Sequence, residues 1–197
     1  SPGVGLKQYP SCARTHPAVD AMLEMVSENE IQPEDVEAIN CAGSYTTPQL
    51  LIHSRPRTAL EGKFSMEFCL AVALLEKKVE LSQFRDKKVQ DPKIQEMIQK
   101  VTFSIRPDLN NIDNSGNPST TVKILMKDGR ELVKTVDEAK GTPENPLTPE
   151  EVRNKYRQCV QGIQSKKESE RTIEAVEKLE SLKKISTLTE LLSCPPK

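Results

Sequence analysis

Hydrophobic and polar residues alternate along this chain in two different rhythms, and the rhythm changes in its last third. Val19, Met22, Leu23 and Val26 recur at i, i+3, i+4 and i+7, one stripe of a helix that Thr15 would cap and Pro17 would enter. The segment from Val36 to Cys41 alternates and ends at Gly43, a strand pattern, and residues 43–62 read as loop. Residues 64–75 are apolar nearly all round, which predicts a buried central helix. Asp91-Pro92 opens another helix, whose stripe is Ile94, Met97, Ile98 and Val101; Phe103 and Ile105 then alternate as a short strand ending at Pro107. A polar loop over 110–119 leads to a strand over 121–127, a two-residue turn signal at Asp128-Gly129, and a return strand over 130–136.

A second rhythm begins at the proline-rich stretch 141–151. Thr148, Pro149 and Glu151 supply a cap, a first-turn proline and the reciprocal acid of a capping box. Helices are predicted over 149–163, 168–183 and 187–193, with a charged break at 164–167. The expected fold class is α+β: residues 1–145 as helices packed on a small, mostly antiparallel sheet, then an all-helical segment over 146–197. That segment has no sheet of its own to cover and needs a partner surface.

Composition narrows the function classes. The 197 residues are 29% charged and 4% aromatic, with no Trp and a formal net charge of −1, so neither nucleic acid nor an anionic membrane is indicated as partner. The apolar run 68–75 is too short to span a bilayer, and no secretory signal pattern opens the chain. The chain begins abruptly, as a fragment, a processed chain or a domain would. Five cysteines, widely spread and without a C-x-x-C pair, fit a reduced, cytoplasmic protein better than a disulfide framework or a zinc site, and with two histidines no His-rich metal centre is expected. No phosphate-binding, dinucleotide-binding or hydrolase motif is present.

The densest chemistry lies in K-Q-Y-P-S-C-A-R-T-H-P-A-V-D, Lys7 to Asp20. Lys7 and Arg14 bring positive charge to a loop that ends at a helix N-terminus, a plausible cradle for a carboxylate or phosphate. Cys12 and His16, four apart, could meet across the turn; equally, Cys12 could be a small buried filler and His16 a helix-capping residue. E-G-K-F-S, Glu61 to Ser65, repeats the theme, with Lys63 and Ser65 able to donate to an anion or simply to form an ordinary cap. Arg55 and Arg57 add charge between the two, in what could be a solvated loop, and His53, flanked by apolar residues, reads as structural.

Three stretches together resemble the MmgE/PrpD superfamily: the Lys7–Asp20 segment, G-K-F-S-M-E-F-C-L-A-V-A-L-L over 62–75, and D-G-R-E-L followed by K-G-T-P-E-N-P-L-T-P-E-E-V-R-N-K-Y within 128–156. That superfamily includes 2-methylcitrate dehydratase, cis-aconitate decarboxylase and iminodisuccinate epimerase. The resemblance implies the smaller α+β lid of an enzyme whose larger helical domain completes the active site. It implies proton transfer beside a carboxylate of a small di- or tricarboxylic acid, as in 2-methylcitrate dehydration, with neither metal nor organic cofactor. Lys7, Cys12 and His16 are then the expected catalytic residues, and Ser11, Arg14, Lys63 and Ser65 the expected substrate contacts. The expected partners are the carboxylate substrate and a helical domain or second chain, in an oligomer. A non-catalytic binding or assembly module is the alternative, and a Cys12/His16 hydrolase a remote third.

Overall fold

The computed structural model describes residues 3–107 and 119–193 and divides the chain into two units, 1–146 and 147–197. The predicted loop over 110–118 and Cys194 lie outside the described residues. Within the first unit, α1 (His16–Asn29), β1 (Val36–Gly43), α2 (Thr47–Leu50), α3 (Ala59–Gly62), α4 (Met66–Glu76), α5 (Asp86–Val89), α6 (Pro92–Gln99), β2 (Val101–Ile105), β3 (Thr120–Met126) and β4 (Glu131–Val136) follow in order. The result is an α+β fold.

The sheet has four strands in the order β2-β1-β3-β4. β1 runs parallel to β2 and antiparallel to β3, and β3 pairs antiparallel with β4. The parallel pair needs a long crossover, and the chain from α2 to α6 supplies it. Helices α1, α4 and α6 pack together and against the strands. The opposite face is polar: Asn40 donates to Thr102 at 3.1 Å, Thr121 bonds Thr135 at 2.8 Å, and Lys123 pairs with Glu131 at 2.6 Å. This one-sided burial is typical of antiparallel sheets and explains the alternation along β3.

Helix α4 is the centre of the core. Met66 and every residue from Phe68 to Leu74 are buried, and Phe68 meets Phe84 edge-on with ring centroids 5.5 Å apart. A helix apolar all round has no solvent side, so α1, α6 and the sheet must cover it from different directions.

Several boundaries differ from the sequence reading. Residues 43–62, expected as loop, hold the single turns α2 and α3; the Thr58 side chain accepts from Glu61 N at the start of α3, and Glu61 accepts from Arg57 N. The turn α5 was also not foreseen. Val101 is buried as expected but opens β2 instead of closing a helix, because α6 stops at Gln99. β1 is bulged at Glu37: Val36 pairs with Met126 and Ala38 with Leu125, two steps against one. The bulge brings Val36 and Ile39, three apart, to the same buried side. The hairpin has three connecting residues, not two. Met126 N donates to Arg130 O at 2.9 Å, and Gly129 takes φ +88°, the left-handed conformation a glycine adopts cheaply.

The second unit comprises α7 (Pro149–Cys159), α8 (Lys166–Glu177) and α9 (Ser186–Leu192). The capping box at Thr148 forms as predicted, and a second one, Ser165 with Glu168, starts α8 inside the expected charged break. Among the described residues no helix is long and apolar enough to cross a membrane.

Truncating Phe68 to Ala removes the largest fully buried side chain from α4. Urea unfolding of that variant should show a loss of about 3–5 kcal/mol.

Candidate active site

The opening loop is built onto the start of α4. A 3-10 turn over Ala13–Thr15 precedes α1. Thr15 occupies the cap position but makes no side-chain cap bond to α1. Its hydroxyl turns back, donating to Cys12 O at 2.8 Å and bonding the Ser11 hydroxyl at 2.8 Å. Because the single Thr15 proton is directed at that carbonyl, Ser11 is the donor in the second bond. Both hydroxyls are buried and lie beside the Cys69 thiol from α4.

Two adjacent carbonyls at the end of α3 join the loops. Gly62 O accepts from Cys69 Sγ at 3.7 Å, and Lys63 O accepts from Cys12 N at 2.9 Å. Gly62 is closely packed: a Cβ there would sit 3.1 Å from the Phe68 ring and 3.2 Å from Val89, so either neighbour would have to give by a few tenths of an ångström. The two cationic helix starts are therefore neighbours through their main chains.

Ser65 caps α4, accepting from Phe68 N at 3.1 Å, and is fully buried. Its hydroxyl donates to Glu67 at 3.4 Å. Glu67 is half-buried, and burial raises its carboxyl above the ordinary range, opposed by hydrogen bonds from its own backbone and from Ser65 and by the charge of Arg55. Of the expected residues, Lys7 is exposed, with Nζ donating to Ser11 O at 3.4 Å, and Cys12, Arg14 and Lys63 are half-buried. His16 is 3% exposed, its ring edge-on to Tyr9 with centroids 5.2 Å apart. Arg55 serves the fold, donating to Ile98 O at 3.1 Å and so tying its loop to α6. His53 is half-buried, and its N–H donates to Phe64 O at 3.4 Å.

Tyr9 and Asp20 were missed by the sequence reading. Tyr9 Oη donates to Asp20 Oδ1 at 2.5 Å, and Lys140 N donates to Asp20 Oδ2 at 2.7 Å. Burial raises the Asp20 carboxyl above its ordinary value, opposed by those two donors. A usable signal was present: His16 and Asp20 are four apart on the face of α1 that carries the apolar stripe, an unusual place for a carboxylate. Among the described residues no group of three His, Cys, Asp or Glu side chains converges to hold a metal ion.

These features define an α+β domain that presents lysines around a buried, hydroxyl-lined loop junction. The sequence profile of the MmgE/PrpD C-terminal domain matches residues 9–181, and the chain belongs to that family. Relatives include cis-aconitate decarboxylases from Aspergillus terreus, 26% identical over 98% of this chain and 41% of the relative, and from Mus musculus, 28% identical over 98% and 40%. The Homo sapiens cis-aconitate decarboxylase is 25% identical over the same shares. The chain thus spans about two fifths of the length of the curated relatives it matches.

Cys12, Cys41, Cys69 and Cys159 are free thiols. Burial pushes the Cys69 thiol up to about 12 and raises that of Cys41 as well, which leaves little of the reactive thiolate at either position. Alkylation of the folded protein at about pH 8 should label exposed Cys159 and half-buried Cys12 first, with Cys41 and Cys69 reacting only after unfolding, as peptide mass mapping will show.

Proposed function

We propose that this chain is the lid portion of a lyase or isomerase that acts on a small di- or tricarboxylic acid by proton transfer next to a carboxylate, without a metal or organic cofactor. The observation that carries this reading is the junction of Cys12 N with Lys63 O, at 2.9 Å, which makes neighbours of the loops bearing Lys7 and Lys63. Two cations on neighbouring loops suit a ligand with two carboxylates, and a cation beside the reacting carbon lowers the cost of developing enolate charge. Lys7 is the group that binds a carboxylate or steadies that charge. Cys12 lines the site, Arg14 and Lys63 form its anion-binding wall, and the buried Ser11 and Ser65 hold the two loops behind that wall. His16, under the Tyr9 ring, supports the loop more than it reacts. The relatives make decarboxylation of cis-aconitate the first reaction to assay, ahead of 2-methylcitrate dehydration and iminodisuccinate epimerisation.

The rest of the active site belongs, in this reading, to a helical domain or second chain. The helical unit supports that view. Its only buried apolar residue among those described is Ala175, while Ile163, Val176, Leu179, Ile185 and Leu192 are exposed. Leu147, Val152, Tyr156, Ile173 and Val176 line an apolar groove of about 420 Å³ on it. The same observation favours a second reading, an assembly module with no catalysis of its own.

In the full-length protein, Lys7→Ala should lower kcat/KM on the turned-over acid by on the order of 10²–10³. Its unfolding free energy should change by no more than about 0.5 kcal/mol, since Lys7 is exposed. Wild-type turnover of none of the three acids, with native mass spectrometry showing a stable complex with another chain, would favour the assembly module instead.

A further inference from the structure

Lys7 is exposed, yet the backbone on both sides of it is anchored to one place. On its N-terminal side, Leu6 N donates to Gly141 O at 2.8 Å. Gly141 adopts φ +91°, and a Cβ there would lie 2.0 Å from Leu6 O, so only glycine permits this approach. On its C-terminal side, Tyr9 reaches Asp20 at 2.5 Å. The other oxygen of the same carboxylate takes the N–H of Lys140, the residue before Gly141, at 2.7 Å. Gly141 N in turn donates to Asn145 O at 2.8 Å, which closes the 139–145 turn on itself.

A carboxylate at 7% exposure is costly to keep ionised, and a hydrophobic residue at that register of α1 would pack without that cost. What Asp20 provides is two acceptor oxygens at a fixed separation, one for a side chain of the opening loop and one for the backbone of the 139–145 turn. Leu6, Tyr9, Asp20, Lys140 and Gly141 then form a closed ring of contacts that brackets Lys7 and Gln8.

We infer that Asp20 is a positioning residue for Lys7: by holding Tyr9 and Lys140 together it clamps the loop on both sides of the lysine and fixes where the ammonium group stands. This rests on Lys7 being the carboxylate-binding cation. Asp20 itself touches no substrate. Asparagine at this site can still bridge the two partners, its carbonyl accepting from Lys140 N and its amide donating to Tyr9 Oη with the direction of that bond reversed, whereas alanine bridges neither. Tyr9→Phe removes one contact and leaves the ring packing in place.

The test uses the full-length protein with Tyr9→Phe, Asp20→Ala and Asp20→Asn. Hydrogen exchange of residues 5–9 should speed up about tenfold or more in Tyr9→Phe and Asp20→Ala, while α4 exchange stays as in wild type. The rate at which an amine-reactive ester acylates Lys7 should shift by about threefold or more, with exposed Lys93 unchanged as internal control. On the acid that wild type turns over, kcat should fall about tenfold or more with KM altered much less. Asp20→Asn should restore all three readouts close to wild type, which a loss of general stability would not do. Unchanged exchange and acylation in Tyr9→Phe overturn the inference, as does an Asp20→Asn variant as impaired as Asp20→Ala. Exchange and acylation need no substrate. If they respond while wild type turns over no carboxylic acid, the clamp stands and the proposed reaction falls; if wild type is active and they do not respond, the clamp alone falls.

Discussion

Helix α4 has no wet side, and the arrangement of the first unit follows from covering it. Its interior polar groups are satisfied within the helix, so apolar neighbours can close over it from every direction without leaving unpaired donors. Its N-terminus is the exception, since the first turn of any helix has free N–H groups. Ser65 answers one of them, and the chain entering the helix turns sharply at Gly62 and Lys63 with its own carbonyls exposed to the interior. The opening loop uses those carbonyls. Cys12 of that loop and Cys69 of α4 bond to them, and the Ser11 and Thr15 hydroxyls lie beside the Cys69 thiol.

The candidate site is therefore where the dry core meets the polar seam at the start of α4. Hydroxyls and a neutral thiol satisfy the buried part at little electrostatic cost, while charged Lys7 and Lys63 stay toward solvent. Asp20 departs from this economy. A buried carboxylate with a raised pKa is most favourable to the fold while protonated: its contribution is fully present below the ordinary aspartate value and declines as pH rises through the folded value. Its presence at the join of two loops is better explained by geometry than by stability.

The helical unit is held differently. Arg157 grips Glu170 through two bonds of 2.7 and 2.9 Å, and Arg153 reaches Glu177 at 2.6 Å. Exposed pairs of this kind contribute little net stability. Few apolar side chains are buried in this unit, whose helices begin with capping boxes, and its apolar side chains remain exposed.

Much of the fold was legible because local rules are strong there. The all-round apolarity of 66–75 marks a central helix whatever surrounds it, Thr148-Pro-Glu-Glu marks a helix start, and Asp128-Gly129 marks a reversal. The single turns α2, α3 and α5 were not legible, since each is held by a bond or two that depend on its neighbours, such as Asp86 accepting from Ala59 N at 2.6 Å. The bulge at Glu37 was hidden for the same reason: pairing with β3 imposes it. For the site, the residue types and order of the Lys7–Asp20 segment were readable in the chain by itself, and so was its kinship. That Cys12 meets Lys63, that His16 lies under Tyr9, and that Asp20 meets Lys140, 120 positions away in sequence, were decided by tertiary structure, because contacts between distant segments depend on how the intervening helices pack and leave no periodic trace in the sequence.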